Sequence, residues 1–149
     1  MRCHHTIALL ALAGAVGCRR TPEGLSIDEA RVHVLPAIKR AVAAGRFLEA
    51  ERACARPIAE LAWIQRQDAA LAKELGRLCT HDVQLALLAI AVHKVETARR
   101  DQPDAHDLPE CHDVAYDRAM QTLAQHRSGD DATTAFMERF VVACPRLTE

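Results

Sequence analysis

Four cysteines constrain the fold of this chain more than any other feature; they are Cys54, Cys79, Cys111 and Cys144. A disulfide requires two Cα atoms within about 7 Å, and four cysteines allow three pairings. The midpoint between Cys111 and Cys144 falls at the turn-forming pair Ser128-Gly129, with helical sequence on either side. An antiparallel helical hairpin around that turn would bring both cysteines to the same end. We therefore predict a Cys111–Cys144 disulfide.

The other two cysteines, Cys54 and Cys79, pair by elimination. Heptad-like spacing favours one long helix between Pro57 and Leu78, with Leu61, Ile64, Leu71, Leu75 and Leu78 on its apolar seam. Such a helix would hold the two cysteines roughly 30 Å apart, at 1.5 Å per residue. The alternative is a break at Gln67-Asp68, where Asp68 would cap a second helix. The sequence leaves both open, and only the break permits the disulfide.

A different pattern occupies the first eighteen residues. Arg2 is followed by an apolar stretch from Ile7 to Val16, and then by Gly17 and Cys18. A basic start, a short apolar stretch and small residues are the layout of a bacterial secretory signal. The apolar stretch is too short to span a bilayer, which needs about 20 residues. The ending Ala15-Val16-Gly17-Cys18 resembles the lipobox of bacterial lipoprotein precursors, although Ala15 replaces the usual leucine.

The lipobox resemblance implies that Cys18 is acylated and that the chain is cut before it. The resemblance covers only residues 1–18 and makes 1–17 a signal peptide. Residues 18–25 then form a lipidated tether, and a helical domain (26–149) begins at the helix-start signal of Ser26. The implied location is the periplasmic side of the cell envelope, with the membrane as partner through the lipid. Arg19, in place of an aspartate, favours the outer membrane over the inner one. The alternative is an ordinary secretory signal that leaves Cys18 as a spare thiol.

Export also bears on the four remaining cysteines, because disulfides persist in oxidising compartments. Free buried thiols, the alternative, would suit a cytosolic protein better. The sequence is rich in alanine and poor in β-branched residues, which favours helix over strand. We predict an all-α fold, a small disulfide-linked bundle of four to six antiparallel helices.

Several helix boundaries can be read from local signals. Ser26 and Glu29 form a capping box at the first helix, Pro36 must kink or restart it, and Gly45 ends it. We also expect a helix from Phe47 to Ala55 and helices that open at Pro57, Thr80 and Asp107, with the stretch Leu85 to Val92 buried. The helix that opens at Asp107 should have an apolar face made of Val114, Ala115, Ala119, Met120 and Leu123. The last helix should run from about Asp131 to Ala143, with Ala132, Phe136, Phe140 and Ala143 on its apolar stripe.

Two short stretches place Cys, His and Asp near predicted helix starts: Cys79-Thr80-His81-Asp82 and Cys111-His112-Asp113. These are metal-ligand residue types, so His81, Asp82, His112 and Asp113 form a possible metal site. The simpler interpretation is a disulfide cysteine beside acidic residues that favour a helix N-terminus. We adopt the simpler interpretation and predict no metal and no cofactor.

Several function classes lack support in the sequence. Lys and Arg total 19 against 20 Asp and Glu, and the sequence has no basic patch, so we predict no nucleic-acid partner. The only serines are Ser26 and Ser128, and neither a nucleophile elbow nor a phosphate-binding loop occurs. We predict a non-catalytic structural or protein-interaction module of the envelope, with an envelope protein as partner. The alternative is a helical module that binds a small ligand or a metal.

Overall fold

The structure, a computed structural model, describes residues 24–126 and 130–145. Within these ranges six helices and no strand are found, which confirms the all-α prediction. The signal peptide, most of the tether including Cys18, and the predicted turn at Ser128-Gly129 lie outside the described residues.

The helices follow one another with short connections. The first helix, α1 (27–43), consists of Ile27–Glu29, a π-helical turn at Ala30–Val34, and Leu35–Ala43. The other five are α2 (Phe47–Ala59), α3 (Leu61–Gln67), α4 (Ala69–Asp101), α5 (Val114–Gln125) and α6 (Asp131–Ala143). Helix α4 contains a π-helical turn at Leu78–Asp82, and a 3-10 turn at Pro109–His112 precedes α5.

Both ends of α1 follow from local chemistry. The Ser26 hydroxyl accepts a hydrogen bond from the Glu29 amide at 3.0 Å, as the capping box predicts. Pro36 is the second residue after the π-helical turn, where the hydrogen-bond register changes and the donor that proline lacks is not needed. At the other end Gly45 has φ 68°, and the Arg46 amide donates to the Ala41 carbonyl at 2.9 Å. This is the glycine-dependent Schellman ending, so the predicted end at Gly45 is confirmed.

The helical path is interrupted at Asp68, so the segment between Pro57 and Leu78 is not one long helix. Asp68 has extended backbone angles (φ −152°, ψ 92°), and its carboxylate accepts the Leu71 amide at 3.0 Å. Arg31 of α1 forms an ion pair with the same carboxylate. Helices α3 and α4 therefore fold back on each other and pack together, in place of one straight helix.

Three predicted helix starts are wrong. Pro57 lies buried inside the last turns of α2, and the next helix begins at Leu61. Thr80 lies within α4, where its hydroxyl donates to the Gly76 carbonyl at 2.8 Å, a bond that satisfies it without ending the helix. The helix expected at Asp107 begins at Val114, and Asp113 caps it by accepting the Ala115 amide at 2.8 Å. Each error reflects a residue that can serve more than one local role.

Helix α4 is the centre of the fold. It packs against α2, α3, α5 and α6. The stretch Leu85 to Val92 in its middle is buried only in part: Leu87, Leu88, Ala91 and Val92 are buried, whereas Ile90 is exposed. The length and composition of α4 would suffice for a membrane span, yet 56% of its most apolar window is buried against other parts of the fold. Burial of that kind is typical of a core helix, whose apolar residues are covered by its neighbours.

The buried part of the domain begins at Leu25, which is 1% exposed. Both carboxylate oxygens of Glu60 accept the Leu25 amide, at 3.0 and 2.9 Å. The chain is thus fixed to the junction of α2 and α3 at the point where the sequence places the end of the tether.

Candidate functional site

The first disulfide joins Cys54 of α2 to Cys79 in the π-helical turn of α4, with Cα atoms 5.4 Å apart. Both cysteines are 0% exposed. The side-chain amide of Gln84 donates to the Cys79 carbonyl at 3.0 Å, so the turn around the disulfide has its own buried polar contact. This disulfide fixes α2 against α4 within the main core.

The second disulfide joins Cys111 to Cys144, with Cα atoms 5.7 Å apart. Cys111 lies just before α5 and Cys144 just after α6, so these two ends meet as the predicted helical hairpin requires. Arg99 of α4 reinforces the same end, because its Nε donates to the Ala143 carbonyl at 3.0 Å and its Nη1 to the Ala105 carbonyl at 2.6 Å. Both disulfide pairings expected from the sequence are present.

The two disulfides differ in their access to solvent. Cys111 is 8% exposed and borders a small surface crevice that also involves Arg99, His106 and Asp107, whereas both sulfurs of the other pair are enclosed by core side chains. Thiol–disulfide exchange requires a thiolate to reach a sulfur atom. The Cys111–Cys144 disulfide should therefore react first.

We expect dithiothreitol under native conditions to reduce Cys111–Cys144 before Cys54–Cys79. Alkylation of samples quenched over time, followed by peptide mass spectrometry, would give the order. Adding denaturant is the control, because unfolding exposes both disulfides and should abolish the difference in rate. Equal rates without denaturant would contradict the assigned burial.

His81 lies between two carboxylates where the π-helical turn of α4 meets the start of α6. Its Nδ1 is 3.0 Å from Oδ1 of Asp82 and its Nε2 is 2.9 Å from Oδ2 of Asp130. Asp82 also pairs with Arg77, and Asp130 caps α6 by accepting the Thr133 amide at 2.9 Å. The imidazole therefore connects α4 to the cap of α6.

The His81 group should be sensitive to pH. Hydrogen bonds to Asp82 and then to Asp130 raise the pKa of His81 above 6.5. The Thr133 amide, followed by His81, lowers the pKa of Asp130 from 3.8 to about 2. A raised histidine pKa stabilises the fold below pH 6.5, and this contribution is lost as the pH rises through the folded-state value. A lowered carboxyl pKa stabilises it above pH 3.8, and that contribution is lost as the pH falls toward about 2.

We expect His81→Gln to lower the melting temperature most between about pH 4 and 6.5, where both contributions are present. The difference from wild type should shrink as the pH rises through the raised pKa of His81, because the wild-type imidazole then loses its charge. Thermal melts of both proteins across this range provide the measurement. His33→Gln, at an exposed position of α1, is the matched control. A difference that is constant with pH would contradict the assignment.

The four residues considered as a metal site belong to separate hydrogen-bonded groups. His112 lies 3.0 Å from Asp107, and Asp113 accepts the amides at the start of α5, whereas His81 and Asp82 interact with Asp130. In the part of the chain that the structure describes, no group of three His, Cys, Asp or Glu side chains could hold a metal ion. The helix-start interpretation holds for Cys111-His112-Asp113, where Asp113 caps α5, but it is wrong for Cys79 to Asp82, which lie inside α4.

A groove that the sequence analysis missed runs between α2, α4 and the start of α5. Its volume is about 400 Å³. We refer to it as the groove, and the residues that line it are Gly45, Arg46, Phe47, Leu48, Glu49, Arg52, Leu87, Ile90, Ala91, Lys94, Asp113 and Ala115. Leu48 and Ile90 are 48% and 38% exposed. Large apolar side chains left in water within a concave surface are typical of a binding site.

The rim of the groove is charged, and most of its charges are paired. Arg46 forms an ion pair with Glu49 at 3.0 Å, and Lys94 with Asp113 at 3.6 Å. Arg52 forms no ion pair with any described residue. The groove thus combines an apolar floor with one positive charge, Arg52, that has no ion-pair partner in residues 24–126 and 130–145. Sequence reasoning could not find it, because its residues come from three helices far apart along the chain.

Helix α6 carries the second unusual surface. Phe140 and Ala143 of the predicted apolar stripe are buried and Phe136 is half-buried, but Ala132 is exposed, with Thr133 buried in its place. The outer side of the helix leaves apolar residues in water; this surface, called the α6 face below, comprises Thr134, Met137, Glu138, Val141 and Val142. Val114 of α5, also assigned to an apolar face by the sequence, is likewise exposed.

Comparisons of the chain with family models, curated proteins and solved structures found no match.

Proposed function

We propose that this protein is a lipid-anchored, non-catalytic interaction module of a bacterial cell envelope. An acylated Cys18 would hold it at the membrane, on the periplasmic side, with Arg19 favouring the outer membrane. The helical domain would present the groove to a partner protein. The observation that carries the interaction is the pair of water-exposed side chains, Leu48 and Ile90, in a concave surface that rigid helices form.

The two disulfides of the domain support the export that a lipid anchor at Cys18 requires. Two disulfides in one small domain are expected of an exported protein, because cytosolic reductants keep thiols reduced. Two or more acyl chains give stable membrane attachment at roughly 0.8 kcal/mol for each buried CH₂. A tether ending at Leu25 would then place the domain close to the membrane surface.

The scaffold around the groove supports a binding role. Arg118 of α5 forms a two-point ion pair with Glu51 of α2, at 3.1 and 3.0 Å. Arg139 of α6 does the same with Glu96 of α4, at 2.8 and 2.7 Å. Such forked contacts fix orientation between helices. A groove that is formed before the partner arrives loses less conformational entropy on binding.

Site-specific photo-crosslinking tests the binding role. A photoreactive residue at Leu48, introduced into the full chain in its native cell, should give one recurrent covalent product with a protein. The same residue at Val32, which is 60% exposed on α1 and outside the groove, is the matched control. No product at Leu48, or the same products at both positions, would contradict the proposal.

Cell fractionation tests the anchor. Cys18→Ser should move the protein from the membrane fraction to the soluble fraction, because it removes the acylation site. Cys3→Ser, within the segment that would be cleaved, is the control and should leave the distribution unchanged. Continued membrane association of the Cys18 variant would contradict lipid anchoring.

A further inference from the structure

We infer that the occupant of the groove is the α6 face of a second copy of this chain. This inference rests on the proposed function in one respect, that the groove is a docking surface for a protein. It identifies the partner from two surfaces of the described residues that are complementary in apolar content and in charge.

The first match is apolar. The large hydrophobic residues left exposed in residues 24–126 and 130–145 are Val32, Leu48, Ile90, Val114, Met137, Val141 and Val142. Two of them line the groove, three form the α6 face, and Val114 adjoins the groove between Asp113 and Ala115. Most of the water-exposed apolar side chains are thus concentrated on two surfaces, one concave and one a helix face.

The second match is the arrangement of the α6 face. Thr134, Met137, Val141 and Val142 recur at spacings of three, four and one along the helix, which places them on one side of it. An apolar stripe with this spacing is how a helix enters a hydrophobic groove. Val142 is 80% exposed, so little of its surface is covered within its own chain.

The third match is charge. Arg52 at the rim of the groove and Glu138 on the α6 face each lack an ion-pair partner among the described residues. The neighbouring charges on the rim are already paired within the chain. Docking would therefore bring together an unpaired cation and an unpaired anion, and charge complementarity of this kind sets orientation and specificity.

The contact would be head to tail, because the groove and the α6 face share no residue. A contact between two different surfaces of identical chains leaves each copy with one groove and one face still available. Such contacts close into rings or continue as open chains. Copies anchored to one membrane would meet at a raised effective concentration, which favours a weak contact of this type.

Sedimentation velocity over a wide concentration range tests the inference. The protein is the full chain carrying Cys18→Ser, with both disulfides formed. We expect association that increases with concentration and that either Leu48→Asp or Val142→Asp abolishes. Val32→Asp, an exposed apolar position on neither surface, is the matched control and should associate like the parent. Circular dichroism confirms that each variant is folded.

Two further variants make the test independent of the apolar substitutions. Arg52→Glu and Glu138→Arg should each weaken association about fivefold to tenfold, and the double charge reversal should restore it. Mixing the Leu48→Asp and Val142→Asp proteins should yield a one-to-one dimer, because each retains one intact surface. That result distinguishes a head-to-tail contact from a symmetric one.

A protein that stays monomeric at every concentration, or association that none of these substitutions changes, would overturn the inference. A photo-crosslink from Leu48 to a different protein, with a monomeric domain, would also overturn it while leaving the proposed function intact. If the purified protein self-associates but Leu48 gives no photo-crosslink in the cell, the result would count against the proposed function, binding a protein partner in the cell. The two failures are therefore distinguishable.

Discussion

Replacing both Cys54 and Cys79 with alanine should lower the free energy of unfolding by about 3–4 kcal/mol. The disulfide joins residues with a sequence separation of 25, and its loss frees the unfolded chain to adopt many more conformations. A loss of this size is a large part of the stability of a domain of this length. Equilibrium unfolding in urea, monitored by circular dichroism, measures it.

The Cys111→Ala/Cys144→Ala protein provides the comparison. Its disulfide has a sequence separation of 33, so the constraint on the unfolded chain is nearly the same and the expected loss is also about 3–4 kcal/mol. The two effects should differ only through packing, because alanine at 54 and 79 leaves a small cavity in the main core. An unchanged unfolding midpoint in either variant would show that the corresponding disulfide does not form.

Leu88→Ala is expected to lower the free energy of unfolding by about 2–5 kcal/mol. Leu88 is 0% exposed and lies in the middle of α4, the helix that contacts most of the others. Truncation removes apolar contacts and leaves a cavity that the surrounding helices can close only in part. Urea unfolding measures the change.

The matched control for Leu88 is Ile90→Ala, two residues along the same helix. Ile90 is partly exposed in the groove, so its truncation should cost less than about 1 kcal/mol. Measuring both at low protein concentration keeps any self-association out of the comparison. Equal losses for the two variants would contradict the assignment of α4 as the core helix.

The features that the sequence predicted correctly depend on local chemistry or on covalent constraint. Ser26 and Gly45 define the ends of α1 through contacts with residues a few positions away. The break at Asp68 was one of two alternatives, and it was the one that the Cys54–Cys79 disulfide required. The signals at Ser26 and Gly45 are contained in a few adjacent residues, whereas the disulfide adds a covalent constraint between residues 25 positions apart.

The features that the sequence could not predict depend on tertiary packing. Thr80 has the residue type of a helix cap, yet the neighbours of α4 stabilise a helix that continues through it to Asp101. Pro57 could open a helix or occupy the last turns of one, and burial against the core decided between them. The groove was missed for a related reason, because its floor is assembled from α2 and α4.

Intact-protein mass spectrometry of material from the native cell tests the central claim most directly. We expect an amino terminus at Cys18 that carries the mass of acyl chains, with Cys54 joined to Cys79 and Cys111 joined to Cys144. A chain that still begins at Met1, with every cysteine reduced, would contradict it.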